Sequence, residues 1–180
     1  LEARAADLAA SESRYRFLVD RAPDLIWTVD EHERITFIND RAESLLGYAP
    51  AELIGGSVFD LVHADSLDEI RARWVGSETD PTLEQTYRFH LRHRHGWPVP
   101  VELRSVGVVV DGELKGFQGS LRDETAREQL ERDLRESEQR YRVLVENSPD
   151  LIAAVDTQGR LSYVSGRATA FKGWNPAELI

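Results

Sequence analysis

"SESRYRFLVDRAPDLI" (residues 11–26) and "SEQRYRVLVENSPDLI" (residues 137–152) are two versions of one passage, 126 positions apart. Aligned without a gap, residues 11–54 and 137–180 agree at 22 of 44 positions, where unrelated sequence gives about three. The identities include Ser11/Ser137, Tyr15/Tyr141, Pro23/Pro149, Asp24/Asp150, Asp30/Asp156, Gly47/Gly173 and Pro50/Pro176. Solenoid repeats run to about 50 residues at most, so a period of 126 is that of a whole domain. The expected layout is an N-terminal helix over 1–18, a first domain over 19–125, a helical connector over 124–147 and the opening of a second domain over 148–180. Nothing in the second copy corresponds to residues 55–125, and the chain has no Met at its start. It reads as a fragment.

Within one copy the hydrophobic period changes twice. "DLIWTVD" and "RITFIND", separated by "EHE", predict a β-hairpin. Asn39 or Asp40 is placed to cap a short helix that Gly47 stops, and "APAEL" opens another turn of helix with proline near its start. A longer helix is expected from about Asp65, with Leu67, Ile70 and Trp74 on one face. The period then becomes two. Leu83, Gln85, Tyr87, Phe89 and Leu91 alternate in "TLEQTYRFHLRH", "WPVPVELRSVGVVVD" is a long strand, "DGE" a tight turn and "LKGFQGSLRD" a last strand. Two strands, short helices and a three-strand meander give an α+β domain: a five-stranded antiparallel sheet with helices on one face and room for a small pocket between them.

Leu130, Leu134, Ser137, Tyr141 and Leu144 follow at alternating spacings of four and three, the seam of an amphipathic helix. The same seam precedes the first copy at Leu8, Ser11, Tyr15 and Leu18. So polar a helix is marginal alone in water, and a second copy of itself is the simplest partner. The expectation is a parallel homodimer through the flanking helices.

A formal net charge of −10 argues against nucleic acid or an anionic membrane surface as a direct partner. With no cysteine, disulfides, thiolate metal sites and cysteine nucleophiles are excluded. No apolar run approaches the ~20 residues of a spanning helix. No Ser-His-Asp arrangement is suggested, and neither "GGSVFD" nor "DGELKG" is a phosphate loop. Asp30, Asp40 and Asp60 read as turn and cap residues rather than paired catalytic carboxylates. His63 reads as a turn or cap residue. His90, His93 and His95 invite a metal reading, but Arg92 and Arg94 beside them disfavour a cation.

Taken in order, the hairpin "DLIWTVDEHERITFIND", then "AESLLGYAPAELIG", "FDLVHADS" and a meander ending in "GSLRDETARE", resemble the PAS domain family. "RDET" resembles the junction at which a PAS domain's last strand hands over to its output helix, which places Asp123 and Thr125 there. The resemblance implies a cytoplasmic sensory module that binds a small molecule or pairs with itself. It would relay strain through its flanking helices to a C-terminal effector, often a histidine kinase or a cyclic-dinucleotide enzyme. It implies no catalytic residues. Flavin adducts of the LOV type and the photoactive yellow protein chromophore both need a cysteine, and the chain has none. The helix that supplies the haem histidine in this family's oxygen sensors has no His here, about Asp65–Val75, so haem is disfavoured. A non-covalent flavin or a small metabolite stays open, and no metal is expected.

The residues expected to line a pocket are Trp27, Phe59, Trp74, Tyr87, Phe89, Leu103, Phe117 and Leu121, with Asn39 the polar group at its rim. The alternative is that these side chains simply fill the core, leaving a ligand-free module for dimerisation or protein interaction. The second copy carries Ala153-Ala154 for Trp27-Thr28 and Ser165 for Asn39. Trp against Ala changes core volume substantially, so the two copies are not expected to take the same ligand. The relay is expected to run from Asp123 and Thr125 along Leu130, Leu134 and Tyr141.

Overall fold

The computed structural model describes residues 17–165, in two compact units, Leu1–Ala126 and Arg127–Ile180. The seam positions at 1–15 and the second-copy residues beyond 165 lie outside the described residues. In the first unit, strands β1 (Leu25–Asp30) and β2 (Ile35–Ile38) precede helices α1 (Arg41–Leu46) and α2 (Pro50–Leu53), a 3-10 turn (Val58–Leu61) and helix α3 (Ala64–Thr79). Strands β3 (Gln85–Arg92), β4 (Pro98–Val110) and β5 (Glu113–Asp123) follow. All pairings are antiparallel and the sheet order is β2-β1-β5-β4-β3. The expected α+β architecture, a five-stranded antiparallel sheet with short helices, is the one observed.

Alternation turns Leu25, Trp27 and Val29 of β1 into the core, and likewise Phe89 and Leu91, Val99, Val101 and Leu103, and Phe117 and Leu121 from the other strands. Ile70 and Trp74 of α3 are buried against them and Leu67 packs at the margin. Leu83 does not join this face. Its N–H donates to the Asp80 carbonyl in a turn, and the side chain is exposed because β3 begins only at Gln85. Between β4 and β5, Asp111 and Gly112 both have positive φ (53° and 82°), the two-residue turn whose twist suits a hairpin.

The first hairpin is built on Asp30. One carboxylate oxygen accepts from the backbone N–H of His32 and of Arg34, both at 2.9 Å, and the latter bond is the main cause holding the carboxyl below its usual range. Glu33 closes the turn at φ 64°. Helix α4 (Thr125–Glu146) begins at the end of the first unit, and within the second unit its remainder is followed by β6 (Ala153–Val155) and β7 (Leu161–Val164). This hairpin repeats the first pair for pair. Trp27↔Ile38, Thr28↔Phe37 and Val29↔Ile35 correspond to Ala153↔Val164, Ala154↔Tyr163 and Val155↔Leu161, with the register shift at the same step. Asp156 accepts from Gln158 and Arg160 as Asp30 does from His32 and Arg34.

The position matching Glu33 is Gly159, at φ 79°. A non-glycine residue in this region costs roughly 1–2 kcal/mol, partly recovered by the greater chain freedom glycine loses. Glu33→Gly is therefore expected to stabilise the first unit by about 0.5–1 kcal/mol. Thermal unfolding checks it, and a lowered midpoint counts against this account of the turn.

Candidate functional site

Between the inner sheet face and the helices lies a cavity of about 40 Å³. Of the residues expected around a pocket, Trp27, Phe59, Trp74, Tyr87, Phe89, Leu103 and Leu121 line it. Leu25, Ile35, Ile38, Leu46 and Ile70 are among the hydrocarbon side chains that complete the wall. Phe117 does not reach the lining. It is buried behind Trp74, ring centroids 4.6 Å apart, and Trp74 also meets Phe59 edge-on at 5.5 Å. Such aromatic pairs fix Trp74 in place. The Tyr87 phenol is pushed up to about 12, chiefly by burial, and stays protonated.

Asn39 is not at the rim, contrary to the sequence-based expectation. It is 1% exposed and spends its whole side-chain amide on backbone. Its Oδ1 accepts from Ile26 N–H at 3.0 Å, and its Nδ2 donates to the carbonyls of Val19 at 2.8 Å and Asp24 at 3.2 Å. It therefore ties the segment before β1 to the end of β2. Ser165 takes the same place in the second hairpin, where its Oγ accepts from Ile152 N–H at 3.1 Å.

The cavity is small against the ~300–1,000 Å³ of pockets that hold organic cofactors. A flavin or a haem does not fit it with these side chains in place. His63 caps α3, its Nδ1 accepting from Asp65 N–H at 3.4 Å. His93 and His95 stack with Trp97 at the β3–β4 tip, His93 over Trp97 at 4.0 Å, and His90 donates its backbone N–H to Ser66 Oγ.

At the far end of β5, first-unit residues up to Thr125 form a cluster of polar contacts. Asp123 Oδ1 accepts the backbone N–H of Thr125 at 2.9 Å, and its other oxygen lies 3.9 Å from the guanidinium of Arg41 on α1. Glu124, buried between strand and helix, donates its N–H to the Pro100 carbonyl at 3.0 Å and faces Arg88 Nε at 3.8 Å. Arg88 also holds Glu102 at 2.8 Å, and this bond depresses the Glu102 carboxyl below its usual range. Arg122 pairs with Asp24 at 3.4 Å. Sequence reading reached Asp123 and Thr125 but missed Arg41, Arg88 and Glu124. Their partners lie on other elements, and only the unusual position of a glutamate flanked by Asp123 and Thr125 hinted at one of them. Along α4, Leu130, Leu134, Tyr141 and Leu144 are all exposed. No described helix is long and apolar enough to cross a membrane.

Known proteins agree with this architecture. The chain is 27% identical over 94% of its length to an uncharacterized protein, y4lL, of Sinorhizobium fredii, of which it covers 22%. It is 32% identical over 47% of its length to the two-component sensor PprA of Pseudomonas aeruginosa, of which it covers 9%. The chain thus spans a fifth of one relative or less of the other. Among solved structures, the PAS domain of an HTR-like protein from Haloarcula marismortui superposes with a TM-score of 0.59 at 23% identity, covering 68% of this chain and 99% of that one. The family model described as the PAS fold matches residues 13–123 and 139–180. The chain belongs to the PAS family.

Proposed function

We propose that this chain is the sensory part of a signalling protein, with one PAS domain over 19–125, a connector over 124–147 and the start of a second PAS domain over 148–180. Occupancy of the cavity, or packing between two copies, sets the course of the connector helix and so the activity of a C-terminal effector. A histidine kinase or a cyclic-dinucleotide enzyme is the class of effector we favour, and a two-component sensor among the relatives supports it. The observation that carries the proposal is Asp123, whose single carboxylate engages both α1 through Arg41 and the first turn of α4 through Thr125 N–H. A shift of α1 relative to β5 would change the 3.9 Å ion pair to Arg41 while the Thr125 N–H bond stays with the strand end. A bias of a few kcal/mol is enough to change the balance of two conformations.

The connector's exposed seam at Leu130, Leu134, Tyr141 and Leu144 is assigned to the same seam of a second copy in a parallel homodimer. A chain without cysteine allows a clean test. Leu134→Cys is expected to form a disulfide-linked dimer on mild oxidation at least tenfold faster than Arg132→Cys. Adding Asp123→Ala is expected to change the Leu134→Cys rate severalfold while the sheet's unfolding transition persists. Equal rates at 134 and 132 count against the dimer, and a rate indifferent to Asp123 counts against the relay. A second reading, a ligand-free assembly module, is favoured by the small cavity. It predicts the same cross-link with no response to any small molecule.

A further inference from the structure

Among the cavity's lining residues, three side chains carry a polar atom: Trp27, Trp74 and Tyr87. Of these, only Trp27 has a polar atom that is both buried and without a hydrogen-bond partner, its indole Nε1. The residue is 4% exposed. It sits on β1, paired to β2 on one side and β5 on the other, with its side chain on the inner face of the sheet in the cavity wall. A buried donor left unsatisfied is costly, and native structures with such groups usually have a reason for them. The second copy carries Ala153 at this position and has no such donor.

We propose that the cavity of the first domain takes a small, largely apolar molecule with a single hydrogen-bond acceptor, such as a carbonyl or ether oxygen, and that Trp27 Nε1–H is the donor that recognises it. This rests on the reading of the cavity as a sensory pocket and specifies its ligand. Water is a poor occupant, since a buried water needs two to four polar partners and the wall is otherwise almost wholly hydrocarbon. A charged molecule is excluded by the same wall, which offers no counter-ion. The size follows from the volume. A cavity of about 150 Å³ admits benzene, so one of about 40 Å³ suits a molecule of only a few heavy atoms.

Acetone and isobutene are matched probes, equal in shape and differing in a carbonyl against a methylene. Each is titrated into the full chain while the indole N–H resonances of the four tryptophans are followed by NMR, with Trp27→Phe assigning the Trp27 signal. Acetone is expected to move the Trp27 indole proton downfield and saturably, while isobutene perturbs nearby methyl groups without that downfield movement. Trp27→Phe should lower the acetone-to-isobutene affinity ratio roughly two- to tenfold, the worth of one hydrogen bond. That ratio cancels any change in cavity size the substitution brings. If isobutene binds and acetone leaves the Trp27 signal where it was, the acceptor assignment is wrong and the pocket stands. If neither probe binds, both the assignment and the sensory-pocket reading fall.

Discussion

Gly116→Ala is expected to cost about 4 kcal/mol or more, a large share of a domain's total of about 5–15 kcal/mol, and to lower the denaturation midpoint of the first unit sharply. Gly116 lies on β5, the strand that pairs with β1 on one edge and β4 on the other, beside the register shift at Val108/Val109. Its φ is 139°, in a region that is essentially glycine-only and costs other residues roughly 1–3 kcal/mol. A Cβ there would also collide with the Val29 carbonyl oxygen and lie 2.9 Å from the Asp30 Cα. The obstacle is backbone in the middle of the sheet, so relief requires parting β1 from β5. Gly112→Ala is the control: its φ is 82°, but nothing lies within 4 Å of the added Cβ, so about 1 kcal/mol is expected. Chemical denaturation of both variants separates strain from collision. Equal losses would mean that β1 and β5 can slide apart cheaply, against this account of the sheet.

Asn39→Ala is expected to be nearly as damaging, at about 3–5 kcal/mol, while Asn39→Ser costs about half as much. Alanine leaves Ile26 N–H without the Asn39 acceptor and takes one donor each from the half-buried carbonyls of Asp24 and Val19, the latter keeping its bond from Ala22 N–H; a buried unsatisfied group costs roughly 1–3 kcal/mol. Serine keeps one of the three bonds, as Ser165 shows by accepting from Ile152 N–H. Against a total stability of about 5–15 kcal/mol for a domain, the alanine variant should show a clearly lowered denaturation midpoint. Its isobutene affinity, measured while folded, should be unchanged, because Asn39 does not line the cavity. A stable alanine variant with altered binding would return Asn39 to the pocket.

Much of the fold was legible because it is local. The alternation at Tyr87, Phe89 and Leu91, the Asp111-Gly112 turn and the paired hairpins each announce themselves within a few residues. The sheet order was not legible, since β5 pairs on its other edge with β1 through partners 86 to 96 residues apart, and no short-range pattern encodes that. The candidate site divides in the same way. Large apolar residues on inward-facing strand positions were bound to lie near one another, so most of the cavity wall could be named. Phe117 and Asn39 were misplaced because their roles depend on particular partners: the Trp74 ring for one and three backbone groups for the other. Gly116 drew no notice, because the carbonyl it makes room for belongs to another strand. The orphaned indole of Trp27 is a property of its surroundings and has no sequence signature at all.

The matching registers of the two hairpins bear on how the chain assembles as it is made. Leu25 pairs with Leu121, 96 residues later, so at about 5–20 residues per second the first hairpin waits roughly 5–19 s for its central strand. In the second hairpin, whose ladder is the same, the residue matching Leu25 is Leu151, only 30 residues beyond Leu121. Loop closure alone favours this nearer competitor by about 1 kcal/mol. What opposes the exchange is Trp27, for seating Ala153 in its place forfeits burial worth about 3–5 kcal/mol. The larger quantity decides, and so the tryptophan that walls the cavity also keeps the two repeats from trading strands.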